Sequence, residues 1–319
     1  IGGICNNPED YASFYHNYKG RRYRHDQVHN LFGYYMTRSA SEAFERYVPE
    51  KRILLFSRAS YIGMHRFGGI WQGDNASWWS HLKMNVKMMP SLNMCGFLYT
   101  GADVGGFGAD ATEDLVLRWL EFAVFTPLLR NHSARGTRRQ EVYRFSRVEK
   151  FADVIGVRYQ ILPYIYSEYM KAALRNTMMF NPLAFLYGED ALARQVEDQL
   201  FIGENVMVAP VCEQNVTGRV VYFPERMKQL IFKNSVVEEG SVYEKGFSYV
   251  EMPMGTVHIF LREGYLFPVA KGGKCVEDVD FEDLKLYSFG EEIKPYEYYL
   301  DDGETKDFTL ESHIRMLSC

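Results

Sequence analysis

The chain has 319 residues, 47% of them hydrophobic, enough for one large domain with one or two small ones beside it. Its net charge of −5, without a basic stripe, argues against nucleic acid as a partner. No apolar run approaches the ~18 residues needed to cross a membrane.

Residues 27–47 read as a helix with Leu31, Tyr34, Tyr35 and Phe44 on one side. Residues 53–58 form a short, mostly apolar run ending at Arg58. Ile70-Trp71 reads as the next strand, followed by a helix over 78–88. Residues 96–100 predict another strand, opening into Gly101-Ala102-Asp103-Val104-Gly105-Gly106-Phe107. A helix over 114–122 comes next. Residues 125–129 then predict a strand that ends at Arg130-Asn131-His132. Residues 148–175 are helical, with Pro163 expected to kink or divide them.

Strands alternating with helices argue for a parallel α/β fold. Each apparent strand ends in a polar residue: Arg58, Asp74, Asp103 and His132. A (β/α)8 barrel gathers its catalytic residues at such ends, and four strands are half of one. Beyond residue 180, short runs such as 206–211, 220–224 and 257–261 sit between turn residues, the texture of an antiparallel β domain. Residues 271–274 read as a linker. Asp301-Asp302-Gly303-Glu304, after the apolar run 296–300, predicts a hairpin turn.

The five cysteines (Cys5, Cys95, Cys212, Cys275 and Cys319) are scattered and show no zinc spacing. With no signal peptide visible after Ile1, they predict a reducing, cytoplasmic setting. The sequons at Asn75, Asn131 and Asn215 read as chance. Aromatic residues, at 15%, fit either an ordinary core or carbohydrate binding.

The densest signal is Gly68-Gly69-Ile70-Trp71-Gln72-Gly73-Asp74-Asn75. It reads as a buried strand presenting a carboxylate just before a helix. Trp71 offers a face for stacking on a sugar. An apolar surround would raise the pKa of Asp74, as a general acid requires. On this run alone, Asp74 or Asn75 fits a plain helix cap equally well. Likewise Arg58 fits an ion pair inside a barrel, His132 a structural histidine, and Trp71 core packing. Gly105-Gly106 would suit a phosphate turn, but no Lys-Ser/Thr follows.

Taken together, the runs resemble glycoside hydrolase family 31, the α-glucosidase and α-xylosidase family. The resemblance rests on Ser57-Arg58, Trp71-Gln72-Gly73-Asp74-Asn75, the 101–107 run, Arg130-Asn131-His132-Ser133 and Arg158-Tyr159-Gln160-Ile161-Leu162-Pro163-Tyr164-Ile165-Tyr166, with weaker matches over 198–203 and 209–211. It implies an α/β fold: the second half of a (β/α)8 TIM barrel followed by one or two small antiparallel β domains. The implied division is 1–178 for the barrel half, 179–273 for a proximal β-sandwich and 274–319 for the start of a distal β domain.

The resemblance also implies roles. Asp74 looks like the catalytic acid/base. Arg58 and His132 look like ligands to sugar hydroxyls, and Trp71 and Phe107 like apolar walls of the same subsite. Asp103 looks like a substrate-binding carboxylate of the subsite or one that supports it from behind, with Arg130 as its ion partner. No metal or organic cofactor is implied. The family's nucleophile is an aspartate in a Trp-x-Asp-Met-Asn-Glu motif, which these 319 residues do not contain. Asp10 and Asp26 lack the apolar strand that would make either one a nucleophile.

The implied partners are therefore an oligosaccharide substrate and the N-terminal half of the same enzyme, with a homo-oligomer allowed and no nucleic acid or membrane. The expected activity is retaining hydrolysis that releases α-linked glucose from non-reducing ends. The alternatives are an α-xylosidase, a non-catalytic sugar-binding fragment, or a nucleotide-binding α/β enzyme. A half barrel by itself is expected to expose strand edges and apolar helix faces and to be insoluble.

Overall fold

The structure, a computed structural model, describes residues 8–319; Cys5, the start at Ile1 and the side chain of Asp10 lie outside the described residues. Contacts divide the chain into two units, Ile1–Ile70 and Trp71–Cys319.

In the first unit a helix, Pro8–Ser13, leads into a hairpin of Tyr15–Tyr18 and Arg21–Arg24. Lys19 and Gly20 turn it, both at positive φ (49° and 74°), as a two-residue hairpin turn of this hand requires. The helix expected over 27–47 is two helices, His25–Val28 and Leu31–Tyr47. Among the described residues their apolar side is only partly covered: Leu31 and Tyr34 are half-buried, but Phe32, Tyr35 and Phe44 are exposed, as are Leu54, Phe56 and Ile62. This agrees with the expectation of bare apolar helix faces. Two short strands, Phe56–Ser57 and Gly69–Ile70, pair in parallel, Ser57 opposite Ile70.

The second unit continues the β/α alternation. Gln72 N donates to Gly101 O (2.9 Å), and strand Asp103–Val104 pairs in parallel with Arg130–Asn131. These strands fall a few residues beyond the apolar runs 96–100 and 125–129 that predicted them. Those runs instead turn and pack: Phe97, Phe125 and Leu128 are buried. Helices Trp79–Met94 and Glu113–Ala123 follow their strands, the second capped by the Thr112 hydroxyl, which accepts from Leu115 N. The helix Val148–Arg175 runs undivided through Pro163, correcting the expected break. Pro163 is buried between Ile161, Tyr164 and Ile165, and that packing outweighs the lost backbone bond.

From Phe180 the chain builds a six-stranded antiparallel sheet in the order Val236–Tyr243, Met227–Lys233, Val257–Arg262, Val206–Val208, Leu200–Ile202, Phe180–Pro182. Its central strands read as continuous apolar runs because both faces are covered. Val257, Ile259 and Leu261 face the barrel helices in one core. Phe260 on the same strand joins Met207, Met227 and Phe223 in a second core, under the ribbon Gly218–Phe223/Gly246–Glu251. Arg118, on a barrel helix, ties the layers together: its side chain is 1% exposed and donates to the carbonyls of Val216 (3.1 Å) and Met252 (2.9 Å).

The expected linker at 271–274 begins without regular structure, but the strand after it, Leu284–Ser288, turns back to pair with Leu266–Ala270. The Asp301-Asp302-Gly303-Glu304 segment is not a tight hairpin turn. Asp301 and Asp302 carboxylates accept from Gly303 N and Glu304 N (2.9 Å each) and start a longer loop between the paired strands Tyr296–Tyr299 and Ile314–Leu317.

Candidate active site

Parallel pairing fixes where the candidate side chains leave the sheet. In the first unit, Arg58 follows directly on strand Phe56–Ser57 and is exposed. In the second unit, Trp71, Asp74, Asp103, Phe107, Arg130 and His132 all sit on or just past the ends of neighbouring strands.

Asp103 and Arg130 face each other across the ladder and form the ion pair expected of them. Arg130 Nε donates to Asp103 Oδ1 at 3.0 Å, and Nη2 donates to the same oxygen. The Asp103 side chain is only 1% exposed. Burial pushes its carboxyl above the usual carboxylate range; Arg130 opposes this and the charge of Asp74 adds to it. Asp103 Oδ2 is buried without a partner among the described residues. The Arg130 guanidinium also lies 5.7 Å from the Trp71 ring centre, a cation–π contact that fixes the tryptophan beside the ion pair.

Asp74 itself is exposed, and Trp71 and Gln72 are half-buried. The apolar enclosure expected around the acid is therefore not provided by the described residues of this unit. A barrel walls in its mouth with loops from eight strands, and the strands here supply one side. Nor does the residue pair 74–75 cap a helix. The next helix starts at Trp79, and Trp78 is its N-cap residue, with no side-chain cap.

Asn75 does something else. It is 3% exposed, and its amide is fully used. Nδ2 donates to Asn85 Oδ1 (2.9 Å) and Asp103 O (3.0 Å), while Oδ1 accepts from Phe107 N (2.8 Å). Its backbone carbonyl accepts from Phe107 N (3.1 Å) and Gly108 N (2.9 Å). This close approach explains Gly106, which sits at φ 92°. A Cβ there would collide with the backbone of Ala76 and Ser77. The glycine pair thus serves loop packing, in place of a phosphate turn.

Phe107 and His132 bring their rings to 5.2 Å between centres. Gln140 holds the second loop: its Nε2 is within reach of Val104 O (3.0 Å), Asn131 Oδ1 (3.0 Å) and His132 O (3.2 Å), and Asn131 Nδ2 donates back to Gln140 O (2.8 Å). Arg158, half-buried, donates to the carbonyls of Val124 (2.8 Å) and Thr126 (2.9 Å), pinning the turn before Arg130; desolvation of its guanidinium lowers its pKa to about 10.

Sequence reasoning gave no role to Asn85 or Gln140 and read Asn75 only as a cap. Asn85 had a signal, a polar residue on the buried stripe Leu82, Val86 and Met89. Gln140 lies in a loop and had none.

Comparisons with known proteins bear on the family and the fold. The model of the glycosyl hydrolases family 31 TIM-barrel domain matches residues 3–168, and that of the glycosyl hydrolase family 31 C-terminal domain matches 176–267. Alpha-glucosidase 2 of Bacillus thermoamyloliquefaciens is 30% identical over 94% of this chain and 38% of its own length. Neutral alpha-glucosidase AB of Homo sapiens is 28% identical over 90% of this chain and 31% of its own.

Among solved structures, the family 31 dextranase of Flavobacterium johnsoniae complexed with glucose superposes with a TM-score of 0.79 at 25% identity, over 89% of this chain and 36% of that one. The glucosidase II alpha subunit shares the fold, with a TM-score of 0.81 at 24% identity, over 92% of this chain and 32% of that one. The chain thus spans about a third of the length of the relatives it matches. With barrel strands, a following β domain and both family models in agreement, the chain belongs to glycosyl hydrolase family 31.

Proposed function

We propose that this chain carries the acid/base side of a retaining α-glycosidase that releases α-linked glucose from the non-reducing ends of oligosaccharides. The observation that carries the reading is the grouping at the strand ends of a family 31 barrel: Asp74 on its loop, the Trp71–Arg130–Asp103 contact, and the Phe107–His132 pair. The division 1–178, 179–273 and 274–319 belongs to the same reading; the helix ending at Arg175 and the strand beginning at Phe180 support its first boundary, while strand pairing of Leu266–Ala270 with Leu284–Ser288 runs across the second.

In a retaining mechanism two carboxyls stand roughly 5–5.5 Å apart across the bond to be cleaved. The nucleophilic aspartate, outside these 319 residues, attacks the anomeric carbon as Asp74 gives its proton to the leaving oxygen. The aglycone departs as an alcohol and a covalent glycosyl ester remains. Asp74, now a carboxylate, takes a proton from water, whose oxygen attacks the same carbon and frees the aspartate. His132 binds sugar hydroxyls and helps hold the distorted ring, a contact contributing roughly a few kcal/mol in the transition state; for Arg58, in the first unit, hydroxyl binding rests on the family resemblance alone. Trp71 and Phe107 provide apolar faces for the ring.

The test is Asp74→Ala in the complete polypeptide. Turnover of a disaccharide, whose leaving group needs the proton, should be abolished. A glucosyl fluoride, whose leaving group does not, should still form the glycosyl ester. Full activity on the disaccharide would refute the assignment.

A further inference from the structure

We propose that Asn75 is the positioning residue of the acid/base, holding the Asp74 backbone and the Phe107 wall in one fixed relation. The inference rests on the reading of Asp74 as the acid/base. Asp74 hangs between two unlike neighbours. On one side Gly73 sits at φ 85°, with open space where a side chain would begin, so it gives the loop no packed anchor. On the other side Asn75 is buried and makes bonds in three directions. Nδ2 reaches the helix at Asn85 (2.9 Å) and the next strand at Asp103 O (3.0 Å). Oδ1 and the backbone carbonyl both accept from Phe107 N (2.8 and 3.1 Å).

Fixing Asn75 therefore fixes the peptide that carries Asp74, and it fixes Phe107 with the same amide. Only an amide fits. Nδ2 meets two acceptors and Oδ1 meets a donor, so a carboxylate would oppose Asn85 and Asp103 O, and a hydrocarbon would take the donor from Asn85 Oδ1 and loosen Phe107 N and Asp103 O, which would keep only their bonds to Asn75 O and from Gly106 N. Asn85 is 1% exposed and orients that amide from behind. General acid catalysis contributes ~10²–10⁴-fold and fails steeply when the group is misplaced by about an ångström.

The experiment is a leaving-group series of aryl α-glucosides plus a disaccharide, run on the complete enzyme with Asn75→Ala and Asn85→Leu, each checked by thermal melting. Asn75→Ala should lower kcat/KM, which reports formation of the glycosyl ester alone, about tenfold to a hundredfold on the disaccharide, and less than about threefold on the most activated aryl glucoside. Asn85→Leu should show the same selectivity with a smaller loss, and it carries the test if Asn75→Ala does not fold.

A uniform loss across the series, or no loss, in folded variants would overturn the positioning role, because a merely structural residue does not distinguish leaving groups. Asp74→Ala in the same series separates the two claims. If it is leaving-group dependent while the asparagine variants are not, only the positioning role falls. If it is not, the acid/base reading falls.

Discussion

Replacing Glu121 by glutamine should uncover a pH dependence of stability that the parent protein conceals. Glu121 lies between the barrel helix and the β domain. Arg118 Nη1 donates to its Oε2 (2.8 Å) and Gly255 N to its Oε1 (2.7 Å). Burial nonetheless wins over Arg118 and pushes the carboxyl from 4.5 up to about 7.

Nearby His258 is driven the other way, from 6.5 down to about 4, by burial and by the charge of Arg118. Its neutral form is satisfied. The Thr256 hydroxyl donates to Pro253 O (2.5 Å) and so accepts from His258 Nε2 (2.7 Å), leaving Nδ1 to accept from Gln229 Nε2 (2.9 Å).

The raised carboxyl holds its proton in the folded state, so its stabilising contribution is complete below about 4.5 and is lost as pH rises to about 7. The depressed imidazole does the reverse: its contribution is complete above about 6.5 and is lost as pH falls to about 4. Each shift is worth roughly 3 kcal/mol and the windows overlap, so in the parent the two nearly cancel. In Glu121→Gln the amide oxygen still accepts from Gly255 N; the bond from Arg118 Nη1 to the other oxygen is lost at every pH, which shifts the level of the curve, and removal of the titration changes its slope. Denaturant unfolding, followed through Trp119 on the same helix, would measure it. The stability of the variant minus that of the parent should rise by roughly 3 kcal/mol between pH 4.5 and 7. A flat difference, or one that falls with pH, would mean that Arg118 keeps Glu121 ionised and that the reasoning is wrong.

Three further outcomes follow from the geometry. His258→Phe should give the mirror image, a difference from the parent that falls between pH 4 and 6.5 in the same unfolding assay. Arg130→Leu strands the buried Asp103 carboxylate and should cost about 3 kcal/mol, part of which Asp103→Asn recovers in the double variant; additivity of the two changes would count against the ion pair. In hydrogen exchange on this chain, helix Leu31–Tyr47, with only Gly33 and Thr37 buried, should exchange well before the middle of Val148–Arg175, and equal protection would contradict the exposure seen.

Much of this architecture is legible residue by residue. The apolar runs at 257–261 and 206–208 announce strands of an antiparallel β domain, and the polar Asp103 falls on a short parallel strand, opposite Arg130. Periodicity and turn chemistry carry that much because they are local: period 2, period 3.6 and the residues that stop them act over a few positions.

The rest was decided by tertiary structure. Pro163 does not break its helix because buried neighbours hold it in place. Asp74 is exposed because enclosure at a barrel mouth needs more walls than these strands provide. The roles of Asn75, Asn85 and Gln140 depend on acceptors and donors 8 to 36 residues away in sequence. An amide finds its partners by distance and direction in space, and only the folded chain sets those.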